Sequence, residues 1–167
     1  PEENVHVLAD GVLDLEVVPT PGHASHHVAF FDGAGACYAG DALGCLLPPG
    51  RFLYPAAPPE IDLEAWGRSL DAIEERGPER LLLPDFGEVP EALAHVARTR
   101  ERLHEWGARV ESGLSVEEFV RLAEVERDAE TAGPERALYR QLPGFDLTYA
   151  GIRRYFDRRA AAQDGGS

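Results

Sequence analysis

The amino-acid sequence predicts an α+β fold, with a small antiparallel sheet in its first part and helices in its second. Apolar and acidic residues alternate through VLDLEVV, residues 12–18, and an Asp-Gly pair joins two apolar runs after it. Beyond Pro90, apolar residues recur at helical spacing. The length of 167 residues and the 44% hydrophobic content are sufficient for one globular unit with a buried core.

Four segments are predicted as strands. Every second residue of the first, residues 12–18, is apolar, so these apolar residues are expected to face the core. Residues 27–31 and 36–39 form a hairpin through DGAG, and RLLLP, residues 80–84, adds one more buried strand. Residues 43–59 are rich in Pro and Gly and predict an ordered loop across the end of the sheet.

Helix signals follow this loop. Asp62 is predicted to cap a helix that ends at Gly77 and Pro78, and four more helices are expected after it. The first is a long helix with Pro90 at its first position and Gly113 at its end, and the second begins with a capping box of Ser115 and Glu118. The third is a short helix over residues 134–142, and the last is capped by Thr148. His95 and His104 lie in the long helix and are expected to be solvated.

The composition limits the partners of the chain. Sixteen basic residues against thirty acidic ones give a net charge of −14, which disfavours nucleic acid because that binding needs a basic surface. No stretch without acidic or basic residues reaches the roughly 20 apolar residues of a membrane span, so no membrane partner is expected. Cys37 and Cys45 are expected to be buried and inert, which favours a cytoplasmic location. The chain contains no methionine, so we expect polypeptide to precede Pro1.

Polar residues follow three of the predicted strands. His23 comes after EVVPTPG, Asp41 after ACYAG, and Asp85 after RLLLP. Each of them alone is more typical of a turn or a cap, but strand ends at one edge of a sheet converge. One imidazole and two carboxylates brought together there are suitable ligands for Zn²⁺, Fe or Mn. The combination therefore predicts a metal site.

Two motifs resemble the metallo-β-lactamase-fold hydrolases: TPGHASHHVAFF, and YAGDALG, whose Asp41 lies eighteen residues after His23. The resemblance implies that His23 is a metal ligand and that Asp41 is the catalytic carboxylate bridging two metals. LLLPDFGEV resembles the segment that carries the family's last ligand, and LTYAGIRRYF resembles the C-terminal helix of a subgroup with two extra helices. Residues 1–90 then correspond to the second half of an αβ/βα sandwich, and residues 91–167 to a helical extension packed on the same domain.

The chain departs from this family at the last ligand. The family places a histidine immediately before Phe-Gly, whereas this chain has Asp85 there. If Asp85 binds metal, an oxygen replaces a nitrogen and the preference moves from Zn²⁺ towards Mn or Fe. If Asp85 does not bind metal, the second metal site is weakened. An alignment shifted by one residue would place Phe86, which cannot bind a metal, at the position of the last ligand.

A second departure is the absence of the family's His-x-His-x-Asp-His motif, since only His6 precedes the Thr-Pro-Gly-His loop. The resemblance thus covers essentially half of the family's fold, with an apolar sheet face that needs covering. We expect that face to pair with a missing N-terminal half or with a second copy in a homodimer.

The resemblance implies a metal-dependent hydrolase, in which one or two divalent ions, Zn or else Mn or Fe, activate a water that attacks an ester, thioester or lactone. His27, Phe52 and Tyr54 are expected to wall the pocket for this small-molecule substrate. The alternative is a non-catalytic, truncated half-fold that acts as a dimerising or scaffold module.

Overall fold

A six-stranded sheet with helices on one face forms the molecule. The computed structural model describes residues 4–7, 14–47, 51–84 and 87–164. The strands, adjacent in chain order, are β1 (Asn4–Val7), β2 (Asp14–Pro19), β3 (Val28–Asp32), β4 (Ala36–Tyr38), β5 (Arg80–Leu83) and β6 (Gly87–Val89). The helices are α1 (Leu63–Glu75), α2 (Ala92–Glu111), α3 (Val116–Glu130), α4 (Gly133–Tyr139) and α5 (Phe145–Asp164). The predicted α+β class is confirmed.

The sheet is mixed, whereas the sequence predicts an antiparallel one. The DGAG hairpin forms as expected, with Phe30 opposite Tyr38 across β3 and β4. Strand β5, however, pairs parallel to β4, because α1 lies between them in the chain and carries it back across the sheet. Strands β1 and β6 were not predicted; β6 has only three residues and no alternating pattern.

Strand β2 presents the opposite face to the core from the one predicted. Leu15 and Val17 were expected to face the core, but Val18 is the residue buried there, with 4% of its surface exposed. Glu16 lies on the same face as Val18, and its carboxylate accepts a hydrogen bond of 2.7 Å from Arg76 at the end of α1. The alternation marks a strand correctly, but it cannot identify the core face when both faces carry apolar residues.

An apolar surface covers the side of the sheet that faces away from the helices. We call it the outer sheet face, and it comprises Leu15, Val17, Phe30, Tyr38 and Leu82, which the strand register aligns in neighbouring strands. Phe30 is 37% exposed and Tyr38 is 38% exposed. Since aromatic side chains at the centre of a sheet are normally covered, this face is the apolar one that the sequence predicts.

The core lies between the sheet and the helices. It contains Val18, Ala29, Phe31, Cys37, Leu81 and Leu83 from the sheet and Trp66, Trp106, Phe119 and Ile152 from the helices. Residues 51–59 cross this core, where the ring of Phe52 packs edge-on against Tyr139 and the ring of Tyr54 against Phe145. The polar tip of Tyr54 donates a 2.8 Å hydrogen bond to the carbonyl of Pro143.

The helix starts are partly as predicted. Asp62 accepts a hydrogen bond from the amide of Ala65, and Ser115 accepts one from the amide of Glu118, so both predicted caps are confirmed. Thr148 does not cap α5, which begins three residues earlier; it is buried within that helix, 3.1 Å from the Tyr54 hydroxyl. Helix α2 starts at Ala92 and not at Pro90, and α4 ends at Tyr139. Among the described residues, no helix has the length and apolar character to cross a membrane.

Both cysteines are buried, as predicted. Burial raises the pKa of the Cys37 thiol to about 12, so this group is protonated at neutral pH. Cys37 therefore behaves as a small apolar residue of β4.

The hydroxyl of Tyr139 joins two parts of the loop that crosses the core. It accepts a 2.7 Å hydrogen bond from the amide of Leu47 and donates one of 2.6 Å to the carbonyl of Phe52. Tyr139→Phe leaves both buried backbone groups unpaired and is expected to lower the free energy of unfolding by about 2 to 4 kcal/mol. Urea denaturation measures this loss. Leu138→Gln, at the half-exposed neighbour of Tyr139 in α4, is the control and is expected to change stability by less than about 0.5 kcal/mol; equal effects of the two changes would contradict the assignment.

Candidate metal site at the carboxyl edge of the sheet

The carboxyl ends of three strands meet at one edge of the sheet. Strands β2 and β4 both run antiparallel to β3, and β5 runs parallel to β4. His23 follows β2, and Asp41 follows β4 within a 3₁₀ helix, Gly40–Leu43. Strand β5 ends at the same edge, but Asp85 lies outside the described residues.

His23 and Asp41 are brought together at this edge. Nε2 of His23 lies 3.5 Å from Oδ2 of Asp41, with 15% of the imidazole and 56% of the carboxylate side chain exposed. Two ligand atoms on one tetrahedral ion, each about 2.1 Å from it, are about 3.4 Å apart. The observed separation therefore fits a shared ion, and the nitrogen and oxygen donors are of the types that Zn²⁺, Mn and Fe accept.

The chemical state of His23 also suits a ligand. Burial lowers the pKa of its imidazole, and the nearby Asp41 carboxylate partly opposes this shift. The ring is therefore neutral at physiological pH, which is the form that binds metal ions.

His27 lies beside these two residues. Its ring centre is 6.0 Å from that of His23, and its Nδ1 atom makes a 2.7 Å hydrogen bond with the hydroxyl of Thr20. A Cβ atom on Gly40 would lie 2.6 Å from Nε2 of His27, so the ring fills the space over the residue before Asp41. The pKa of His27 is lowered, most of all by burial and secondly by the neighbouring His23. His26, in the turn before β3, is exposed.

Phe52 and Tyr54 do not lie beside His27. The side chain of Phe52 is fully buried and that of Tyr54 is 2% exposed, both among aromatic rings of the helices. Within this chain both side chains belong to the core, and hydrogen bonds to Tyr139 hold the loop that carries them. Their role as walls of a substrate pocket stays a prediction.

The described residues contain two of the donors that the sequence predicts for the site, His23 and Asp41. Within residues 4–7, 14–47, 51–84 and 87–164, no group of three or more His, Cys, Asp or Glu residues has an arrangement that could hold a metal ion. A further donor from this chain would have to lie outside the described residues, as Asp85 does.

His95 is buried, and the expectation that it is solvated is wrong. It is 2% exposed, and its Nε2 atom donates a 2.9 Å hydrogen bond to the carbonyl of Leu43, at the end of the turn that carries Asp41. Its position at helical spacing before Thr99 and next to Val96, both fully buried, is the sequence signal that could have placed it on the inner face. His104, in the same helix, is exposed as predicted.

The burial of His95 makes stability depend on pH. Burial lowers its pKa below the ordinary value of 6.5, so below pH 6.5 the unfolded chain binds a proton that the folded protein resists. The free energy of unfolding therefore keeps its full value above pH 6.5. As the pH falls below 6.5, it decreases by up to about 1.4 kcal/mol per pH unit. His95→Gln is expected to reduce this slope, measured by denaturation between pH 7.5 and 5.5, and His104→Gln is expected to retain it. An unchanged slope in His95→Gln would refute the assignment.

Comparison with solved structures identifies the fold. The chain is similar to the metallo-beta-lactamase family protein TTHA1429 from Thermus thermophilus, with 21% identity, a TM-score of 0.59 and coverage of 97% of this chain and 50% of the other. An archaeal metallo-beta-lactamase superfamily protein, ST1585 from Sulfolobus tokodaii, gives 20% identity, a TM-score of 0.58, and coverage of 90% and 49%. A beta-lactamase domain protein from Burkholderia ambifaria gives 17% identity, a TM-score of 0.57, and coverage of 91% of this chain and 45% of the other.

The chain thus has the fold of the metallo-β-lactamase superfamily, as its motifs predict, and spans about half the length of the first two solved structures. Identities near 20% define the fold and not the activity. No protein-family model matches the chain, and a search of curated proteins gives no significant match.

Proposed function

We propose that this chain forms the second half of a metal-dependent hydrolase. The observation that carries the proposal is the 3.5 Å separation of His23 Nε2 and Asp41 Oδ2 at the carboxyl edge of the sheet, in a metallo-β-lactamase fold. One or two bound ions of Zn, Mn or Fe would supply a Lewis acid. The metal would polarise the carbonyl of an ester, thioester or lactone and lower the pKa of a bound water.

The chain's own residues take three roles in this proposal. His23 holds a metal through its neutral, buried imidazole, and Asp41 holds it through a carboxylate that is open to solvent. Asp85 is the proposed third ligand of this chain. His27, half-buried beside His23 and hydrogen bonded to Thr20, forms the wall nearest to the substrate.

The rest of the site is proposed to come from an N-terminal half that covers the outer sheet face. Phe30 and Tyr38 support this, because apolar side chains of that size are normally buried. The net charge of −14 favours a small-molecule substrate over nucleic acid.

Metal binding by the full-length protein tests the proposal. Titration with Zn²⁺, with bound metal measured by mass spectrometry, is expected to give near-stoichiometric binding that His23→Ala and Asp41→Ala each weaken. His104→Ala, at an exposed histidine of α2, is the matched control and is expected to bind as the parent does. Unchanged stoichiometry and affinity in both site variants would rule out this metal centre.

A second candidate is a non-catalytic module that dimerises through the outer sheet face. The exposed Phe30 and Tyr38 favour it, because two copies could cover this face sheet to sheet. Light scattering on the full-length protein distinguishes the two: a stable, folded monomer excludes the dimerising module. A dimer without bound metal would exclude the hydrolase.

A further inference from the structure

Helix α1 holds both of the loops that carry the proposed ligands. The amide of Asp62, just before this helix, donates a 2.9 Å hydrogen bond to the carbonyl of Gly22, and the hydroxyl of Ser69 donates one of 2.6 Å to the carbonyl of Pro21. The Pro-Gly-His loop is therefore fastened to the first two turns of α1.

Trp66 is the residue of α1 that contacts both loops. Its indole Nε1 donates a 2.7 Å hydrogen bond to the carbonyl of Ala42, the residue after Asp41. The indole and the ring of His23 meet in a T-shaped contact, with 5.5 Å between ring centres and 89° between planes. Its backbone lies so close to Gly22 that a Cβ atom there would be 2.2 Å from the Trp66 Cα.

These contacts fix the position of one ligand relative to the other. The indole ring is fully buried, so its hydrogen bond to Ala42 is not exchanged for water. His23 cannot turn toward α1 because the indole occupies that side, and the turn of Asp41 cannot move outward without breaking the bond to Ala42. Trp66 is thus a side chain through which the loops of the two proposed ligands, 3.5 Å apart, are joined to each other.

The other tryptophan offers a comparison within the chain. Trp106 is also fully buried, but its Nε1 donates to the carboxylate of Glu126 at 3.1 Å, and its ring packs on Phe119 and Phe145. These contacts lie in the core, and none of them involves the loops of His23 or Asp41.

We infer that Trp66 is a positioning residue, which holds His23 and Asp41 at the separation that a shared metal ion requires. The inference rests on the proposed function, since it concerns the same two ligands. Residues that orient metal ligands commonly change metal affinity by 10- to 100-fold when they are replaced. The same range is expected for Trp66, through an atom that touches neither the ion nor the substrate.

Co²⁺ titration of the full-length protein tests this inference, because the visible absorption of bound Co²⁺ reports the arrangement of its ligands. Trp66→Phe is expected to weaken Co²⁺ binding 10- to 100-fold and to change the absorption of the bound ion. Trp106→Phe is the matched control: it is expected to lower thermal stability but to leave the affinity within about twofold and the absorption unchanged. Equal affinity and absorption in Trp66→Phe and the parent would overturn the inference, as would equal effects of the two variants.

A second variant isolates the hydrogen bond in case Trp66→Phe does not fold. Incorporation of 3-benzothienylalanine at position 66 keeps the bicyclic shape and removes the N–H donor, and it is expected to weaken Co²⁺ binding in the same direction. Unchanged binding would overturn the role of the bond to Ala42. A parent protein that binds no Co²⁺, or binds it equally after His23→Ala, overturns the proposed metal centre itself, and that result is distinct from a failure of Trp66 alone.

Discussion

Gly22→Ala is expected to lower the free energy of unfolding of the full-length protein by about 4 kcal/mol. Two effects of similar size add to this cost. Gly22 has a φ of 137°, a backbone conformation that alanine adopts only under strain of about 1 to 3 kcal/mol. Its added Cβ would also lie 2.2 Å from the Cα of Trp66, and overpacking of this kind costs about 1 to 3 kcal/mol. Since the contact is with backbone, no side-chain rotation relieves it.

Gly67→Ala is the matched control. Gly67 lies inside α1, and a Cβ there meets no atom within 4 Å. Alanine is therefore expected to stabilise the helix by up to about 1 kcal/mol. Chemical denaturation of both variants gives the comparison, and a cost for Gly22→Ala no larger than that of the control would contradict the close packing of the Pro-Gly-His loop on α1.

Phe30→Asp is expected to destabilise the full-length protein by about 3 kcal/mol or more, if the outer sheet face is covered as proposed. Phe30 lies on the third of six strands, between Val17 and Tyr38 of the neighbouring strands. A carboxylate introduced under a covering layer would be buried without a partner, and the protein would also lose the packing of an aromatic ring.

Val125→Asp supplies the comparison for that change. Val125 is 59% exposed on α3, so the same type of substitution is expected to alter stability by less than about 0.5 kcal/mol. Thermal or urea unfolding measures both variants. If Phe30→Asp costs as little as Val125→Asp, the outer sheet face is open to water, and neither an N-terminal half nor a second copy covers it.

Features with local causes could be predicted from the sequence. The caps at Asp62 and Ser115 were predicted because each depends on a hydrogen bond within three residues. The juxtaposition of His23 and Asp41 was predicted because strand direction and two short motifs are enough to bring both residues to one edge. The fold followed from the same motifs, and the solved structures confirm it.

Features that depend on distant contacts could not be predicted. The helical pattern around His95 could have indicated its burial, but its bond to Leu43, which lies 52 residues away, has no signal in the local sequence. Phe52 and Tyr54 were expected beside the substrate, but the hydroxyl of Tyr139, more than 80 residues further along the chain, determines the path of their loop. The core face of β2 was predicted incorrectly because its outer residues are also apolar, a property that reflects what covers the sheet and not the strand itself.

The protonated thiol of Cys37 affects how the metal experiments are interpreted. Cys37 lies on β4, four residues before Asp41, and a thiol so near a metal site would ordinarily be a competing ligand or a target of peroxide. Its side chain is fully buried and burial raises its pKa to about 12, so it holds its proton at neutral pH, whereas the thiolate is the form that reacts. The thiol of β4 is therefore shielded from peroxide in solution, and a change of metal binding in the His23 and Asp41 variants reports the imidazole and the carboxylate that they remove.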